Sequence, residues 1–463
     1  MRLRISAAPK NGEWATRDIL DTIQLLLMKE PSFAAVTILL TVLSVAQEKH
    51  AMFRGNVEHS GVYQSQVPNR LLLKWKFSTG GPIVSSPAVV DGIVYVGSAD
   101  RNLYAVDAET GELRWKFDAN GDVNSSPAVV DGTVYVVSLD GKLYAVDAAT
   151  GKQRWSFATE GERRFSAVGY MGMLPAAERM ADPWDLYLSS PAVVNGVVYF
   201  GSGDGNVYAV DAESGSLRWK YKTGDVVHSS PAVSGGVVYV GSWDTYFYAL
   251  NAANGELLWR FKTGDDAKIH LMTGIPGSAA VMDGMVYFGS RDANVYALNA
   301  KSGELKWKFA NGASWVISSP AVAGDRVYFT TSDSYRFQAV DAVSGKALYS
   351  LPYGIYSFSS PAVARSHAYF GTFDGRLYDV DLEKQSYAGT FATAGFDLNA
   401  KKYLGADGKL VGENVWTGDT VDNMIADLRG KVFSMGSIVS SPVVSDGRVY
   451  FGSVDGNLYA IGQ

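Results

Sequence analysis

The residues able to carry chemistry are few in this chain, and most are widely separated. No two of the five histidines, His50, His59, His228, His270 and His367, stand at a spacing such as HxxxH that would aim both at one metal. Cysteine is absent, which removes disulfides, thiolate metal sites, c-type haem attachment, a cysteine nucleophile and a lipidated cysteine together. Serine is abundant but recurs inside an SSP motif and belongs to a scaffold, and no GxSxG or phosphate-binding glycine loop occurs. Asp265, Asp266 and His270 could form a ligand cluster, though their segment reads first as a solvated loop. No catalytic residue and no metal site is assigned. The residues that stand out do so by breaking a repeat. They are His228, Trp243 and Arg291, joined by Asn124, Phe358 and Phe373. An imidazole, an aromatic plane and a guanidinium brought together would hold a planar anionic ligand by stacking and charge-assisted hydrogen bonds. Ordinary drift among degenerate repeats is the alternative.

The repeat those residues interrupt is unmistakable. Ser85 to Phe117, SSPAVVDGIVYVGSADRNLYAVDAETGELRWKF, returns as Ser125 to Phe157, SSPAVVDGTVYVVSLDGKLYAVDAATGKQRWSF. Further copies begin at Ser189, Ser229, Ser278, Ser318, Ser359 and Ser440, eight in all. Each copy reads as four short strands separated by tight turns at DG or NG, DG again, and TG. The proline of SSP stands at a strand start, where its missing N–H does no harm. Val94-Tyr95-Val96 and Leu103-Tyr104-Ala105-Val106 are apolar on both alternating faces, as strands sandwiched between neighbouring sheets must be. The aspartates of the DG turns are explained by turn geometry rather than calcium.

The pattern predicts an all-β fold, an eight-bladed β-propeller of four-stranded antiparallel blades over residues 68–463. The last copy stops at Gln463 without a fourth strand, and Leu71–Phe77 supplies a spare one. This N-terminal strand is expected to complete the last blade and close the ring, hiding the edges an open array would expose. Trp75, Trp115, Trp155, Trp219, Trp259 and Trp307 share one repeat position, with Tyr349 in a further copy, and read as structural docking residues.

Tyr104–Trp115, YAVDAETGELRW, with its copies YAVDAATGKQRW and YAVDAESGSLRW, resembles the tryptophan-docking motif of pyrroloquinoline-quinone (PQQ) repeat propellers. That family includes the quinoprotein alcohol dehydrogenases and the BamB-like outer-membrane assembly lipoproteins. Met52–Tyr63, MFRGNVEHSGVY, resembles the lead-in of many bacterial PQQ-like proteins. The resemblance implies PQQ with Ca2+ in the dehydrogenase branch and a protein-binding role in the other. Two departures count against direct transfer. The adjacent cysteine pair above the quinone is missing, and so is the lipidated cysteine.

Three between-blade connections are long, near 160–187, 265–277 and 390–436. All three join a fourth strand to the next first strand, so they should rise from one face and roof the channel mouth. Trp184 and Trp416 fall within them, and Trp315 also lies outside the docking position. Residues 1–46 read as an extension and signal peptide, with translation starting at Met28, the apolar run Phe33–Ala46 as its core and cleavage after Ala46. Residues 47–67 form the lead-in. The expected location is periplasmic or secreted, without lipid or transmembrane anchor. A net charge of −6 with no basic run argues against nucleic acid. These features favour an exported, monomeric ligand- or protein-binding scaffold of the cell envelope. Its partner would be an envelope protein, a peptide or a small anionic ligand on the insert-bearing face. The alternative is a PQQ- and calcium-dependent alcohol or sugar dehydrogenase, in which Arg291 would stand by the quinone oxygens and no acidic base is identifiable.

Overall fold

Strand-forming repeats of four need a partner sheet on each side, and the chain meets this by arranging the sheets around an axis. A computed structural model describes residues 51–169, 177–266 and 270–463; the expected signal peptide lies outside them. Each of the eight repeats forms one four-stranded antiparallel sheet, so the fold is an eight-bladed β-propeller. Blade 1 is typical. Its strands are Ala88–Val90 nearest the axis, then Ile93–Gly97, Asn102–Asp107 and the outermost Leu113–Asp118. The two middle strands are buried on both faces, and the outermost one is largely exposed.

Ring closure occurs as expected. Leu72–Ser78 pairs antiparallel with Asn457–Gly462, Trp75 opposite Ala460, so both ends of the propeller build blade 8. The strand is displaced by one residue from the expected Leu71–Phe77.

Two sets of bonds join blade to blade. Near the axis the two serines of SSP divide the work. The first accepts an N–H of its own blade, as Ser229 does from Gly241 at 2.8 Å while donating to the same residue's carbonyl at 3.0 Å. Ser189 and Ser359 donate instead to the Ser229 and Ser440 carbonyls of the next blade. The second accepts the N–H of its counterpart in the preceding blade, at 2.8–3.2 Å, from Ser86 through Ser126, Ser190, Ser230, Ser278, Ser319, Ser360 and Ser441 back to Ser86. These eight bonds form a closed circle. At the rim, the Trp75, Trp115, Trp155, Trp219, Trp259 and Trp307 indoles each donate to an alanine carbonyl in the next blade's last turn, at 2.9–3.1 Å. Each ring lies on the glycine of that turn, so closely that a Cβ at Gly255 would sit 2.6 Å from Trp219.

The two exceptions have physical causes. The last turn of blade 7 carries Gln385 at φ 54° in place of a glycine, and Tyr349 replaces tryptophan opposite it. Blade 7 itself has Gly389 at the docking position, paired with Asp379. Its neighbour, blade 8, has no turn between its last two strands because they come from opposite chain ends, so no turn exists for an indole to meet.

The lead-in lines the axis from beyond the serine circle. Ala51 bridges Val129, and the carbonyls of Val57, Glu58, Ser60 and Gly61 accept from Val233, Val281, Val322 and Val363 of blades 4 to 7 at 2.7–2.9 Å. Val62–Tyr63 then adds a parallel strand to blade 7.

Replacing Gly255 by Ala should cost about 3 kcal/mol, from positive φ and the collision with Trp219 together. The same change at Gly236, with positive φ but nothing within 4 Å of its Cβ, should cost about 1 kcal/mol. Denaturant unfolding of the two variants measures the difference.

Candidate functional site

The three long connections rise together over one end of the axis. The first contains the hairpin Ser166–Val168 with Arg179–Ala181. The third begins at Thr393, since the outer strand of blade 7 runs to Ala392, and contains three helices: α1 (Ala394–Tyr403), α2 (Gly412–Val415) and α3 (Val421–Ser434). Leu186 of the first, Leu271 and Met272 of the second, and Val415, Leu428 and Val432 of the third share one apolar cluster. That cluster is the roof.

Its keystone is a short strap, Asp182 to Tyr187, with the sequence DPWDLY. Asp182 makes an ion pair with Arg291 of blade 5, both fully buried. Trp184 meets Phe358 and Phe373 of blade 7 edge-on, with ring centroids 6.0 and 5.9 Å away. Asp185 holds His228 of blade 4 at 2.7 Å. The Leu186 carbonyl accepts from the Asn124 side chain at 3.3 Å, and the Tyr187 hydroxyl donates to the Val439 carbonyl at 2.8 Å. The six repeat-breaking residues thus converge, and five of them touch the strap directly. Trp243 meets the same insertion one step away, stacked on Phe165 at 4.3 Å and 8°. Arg291 lies between two indoles, 5.0 Å from the Trp243 ring and 3.8 Å from that of Trp315.

The electrostatics are internal as well. His228 also meets Glu162 at 2.9 Å. Burial would depress its pKa, but Asp185 and Glu162 outweigh burial and carry it up to about 10. The imidazole is therefore charged at neutral pH, clamped between two carboxylates. Gly203 makes room for this clamp, because a Cβ there would stand 2.3 Å from the Arg163 carbonyl. Sequence reasoning missed Glu162, Asp182 and Asp185. Their signal was present in the paired acids of DPWD and, for Glu162, in the glycine at the turn it approaches.

Two cavities adjoin these residues. On the axis beneath the strap is one of ≈ 30 Å³, lined by the eight circle serines with Asn124, His228, Phe358, Leu188 and, from the lead-in, Phe53. A tricyclic quinone needs a pocket of roughly 300 Å³ or more, so the axis does not fit PQQ. Among the described residues no group of His, Cys, Asp and Glu is arranged to hold a metal ion. The second cavity is an open cleft of ≈ 340 Å³ between the first and second insertions, with Trp243, Tyr246, Arg179, Asp265, Asp266 and His270 in its walls. Trp243, in the wall of this cleft, also lies against Arg291 of the strap contact.

A family model described as outer membrane protein assembly factor BamB, PQQ_2, matches residues 70–173, 177–276 and 268–463. No curated protein matches the chain in sequence. Among solved structures, BamB from Moraxella catarrhalis is 16% identical with a TM-score of 0.60, over 85% of this chain and 100% of that one. A europium-containing methanol dehydrogenase is 16% identical with a TM-score of 0.65, over 91% and 100%. A quinohemoprotein alcohol dehydrogenase from Comamonas testosteroni is 16% identical with a TM-score of 0.64, over 92% and 82%. At that identity the likeness shows the fold alone.

Because the folded pKa of His228 is raised, its charge stabilises the roof fully below pH 6.5 and is lost as pH rises through about 10. The melting-temperature gap between the native chain and His228→Gln should therefore be wide at pH ~6 and close above pH ~10.

Proposed function

Because this chain belongs to the PQQ_2 family of propellers, whose fold serves both assembly factors and dehydrogenases, we propose that it is a binding scaffold of the bacterial cell envelope. The observation that carries this reading is the strap. Side chains that would grip an anionic cofactor at the mouth are engaged by Asp182, Asp185 and Glu162 of the chain itself. The axis beneath them has room for no more than a few atoms. Binding is then the work of the outer surface of the roof. The cleft of ≈ 340 Å³ opens there, and the third insertion bears exposed apolar side chains at Leu398 (75%), Trp416 (44%) and Val421 (45%). Among the described residues no helix is long and apolar enough to cross a membrane. Export through the signal peptide at residues 28–46 is part of the same proposal.

Two measurements test it on the purified protein. Titration with PQQ and Ca2+ should give no binding and no dye reduction with short alcohols; tight binding with turnover would overturn the reading. Envelope proteins cross-linked to the roof in cells should be lost from Leu398→Glu/Trp416→Glu with the melting temperature unchanged. Cross-links that persist in this variant would move the binding surface elsewhere.

A further inference from the structure

The axial cavity is unbalanced in hydrogen bonds, and an unpaired buried cation stands beside it. Each of its eight serine hydroxyls accepts one backbone N–H and retains its own proton. No acceptor is assigned to those protons among the described residues. No carboxylate lines the cavity, and the charge of His228, which does line it, is already met by Asp185 and Glu162. Arg54 stands next to the circle. It is 1% exposed and donates to the carbonyls of Pro361 at 2.7 Å and Pro320 at 3.1 Å. These prolines directly follow the circle serines Ser360 and Ser319. Its Nε is buried without a partner, and among the described residues no carboxylate pairs with it. Burial draws its pKa down to about 10, which leaves it charged at neutral pH.

A buried cation without a counter-charge is costly, and so is a ring of donors without acceptors. One occupant answers both. We propose that the axial cavity is a binding site for a single monatomic anion of halide size, held by serine hydroxyls and balancing Arg54. The volume of ≈ 30 Å³ admits an ion of that size and excludes larger oxyanions with their hydration. Water is the competing occupant, but it brings as many protons as lone pairs, and among the described side chains of the cavity wall one acceptor, Asn124 Oδ1, is without a partner. This inference is independent of what the roof binds.

Crystals of the protein grown in sodium bromide test the site. A single anomalous peak on the axis, within hydrogen-bond reach of circle serines, is the expected result. Density with no anomalous signal, as water would give, overturns the proposal. In solution, replacing gluconate by chloride at constant ionic strength should raise the melting temperature by about 2–4 °C at saturation. Asn124→Asp, which sets a negative charge in the cavity wall, should abolish that response. A full response in this variant would place the halide elsewhere and contradict the assignment.

Discussion

The circle of eight N–H···Oγ bonds around the axis is the constraint on which the remaining architecture rests. A serine hydroxyl is short, so each bond fixes the separation of two neighbouring blades at their narrowest point. Eight equal separations fix the diameter of the axis. In seven of the eight blades a proline after the circle serine starts the innermost strand without needing a ladder partner there, Ala279 standing in its place in blade 5. Once the inner radius is set, the outer radius follows from the indoles, each tied by one bond and a close glycine contact to the next blade. The ring can close only if both sets are satisfied around the whole circumference. Closure by Leu72–Ser78 also makes the two ends of the propeller interdependent.

That narrow axis governs the site. A propeller whose innermost strands are this close leaves a small central void, and the chain seals it from both ends. The lead-in contributes Phe53 and Arg54 on one side, and the strap contributes Asp182 to Tyr187 on the other. The side chains that break the repeat are complementary to these two segments. Asn124, His228, Arg291, Phe358 and Phe373 are each explained by the strap residue they touch, and Trp243 by Phe165 and Arg291. Two of them, His228 and Arg291, are cations, and the anionic groups they meet are carboxylates of the same chain. Consensus-breaking positions on a repeat scaffold thus mark where the non-repeating parts dock.

The fold was legible because periodicity carries it. Alternation within each copy set the strands, eight copies set the ring, and the incomplete last copy required Leu71–Phe77. The face bearing the insertions was legible from strand direction alone. The partners of the site residues were not. Glu162 and His228 are 66 positions apart, Asp182 and Arg291 109, and no pattern within either insertion states which blade it will cross. The seam at Gly389 is an intermediate case. A missing tryptophan beside a missing turn can be deduced only after the ring is known to close there.

The strap is an integral part of the native fold and fills the channel mouth. Native-state hydrogen exchange at the Phe165 and Trp184 amides tests this most directly. These amides donate to Asp185 at 2.6 Å and Asp182 at 2.8 Å, the two carboxylates that hold the mouth. Protection approaching that of the middle blade strands, unchanged by added PQQ and Ca2+, is the predicted result. Exchange as fast as that of an open loop, slowing only when quinone is added, would mean that the mouth is a cofactor site and the strap its lid.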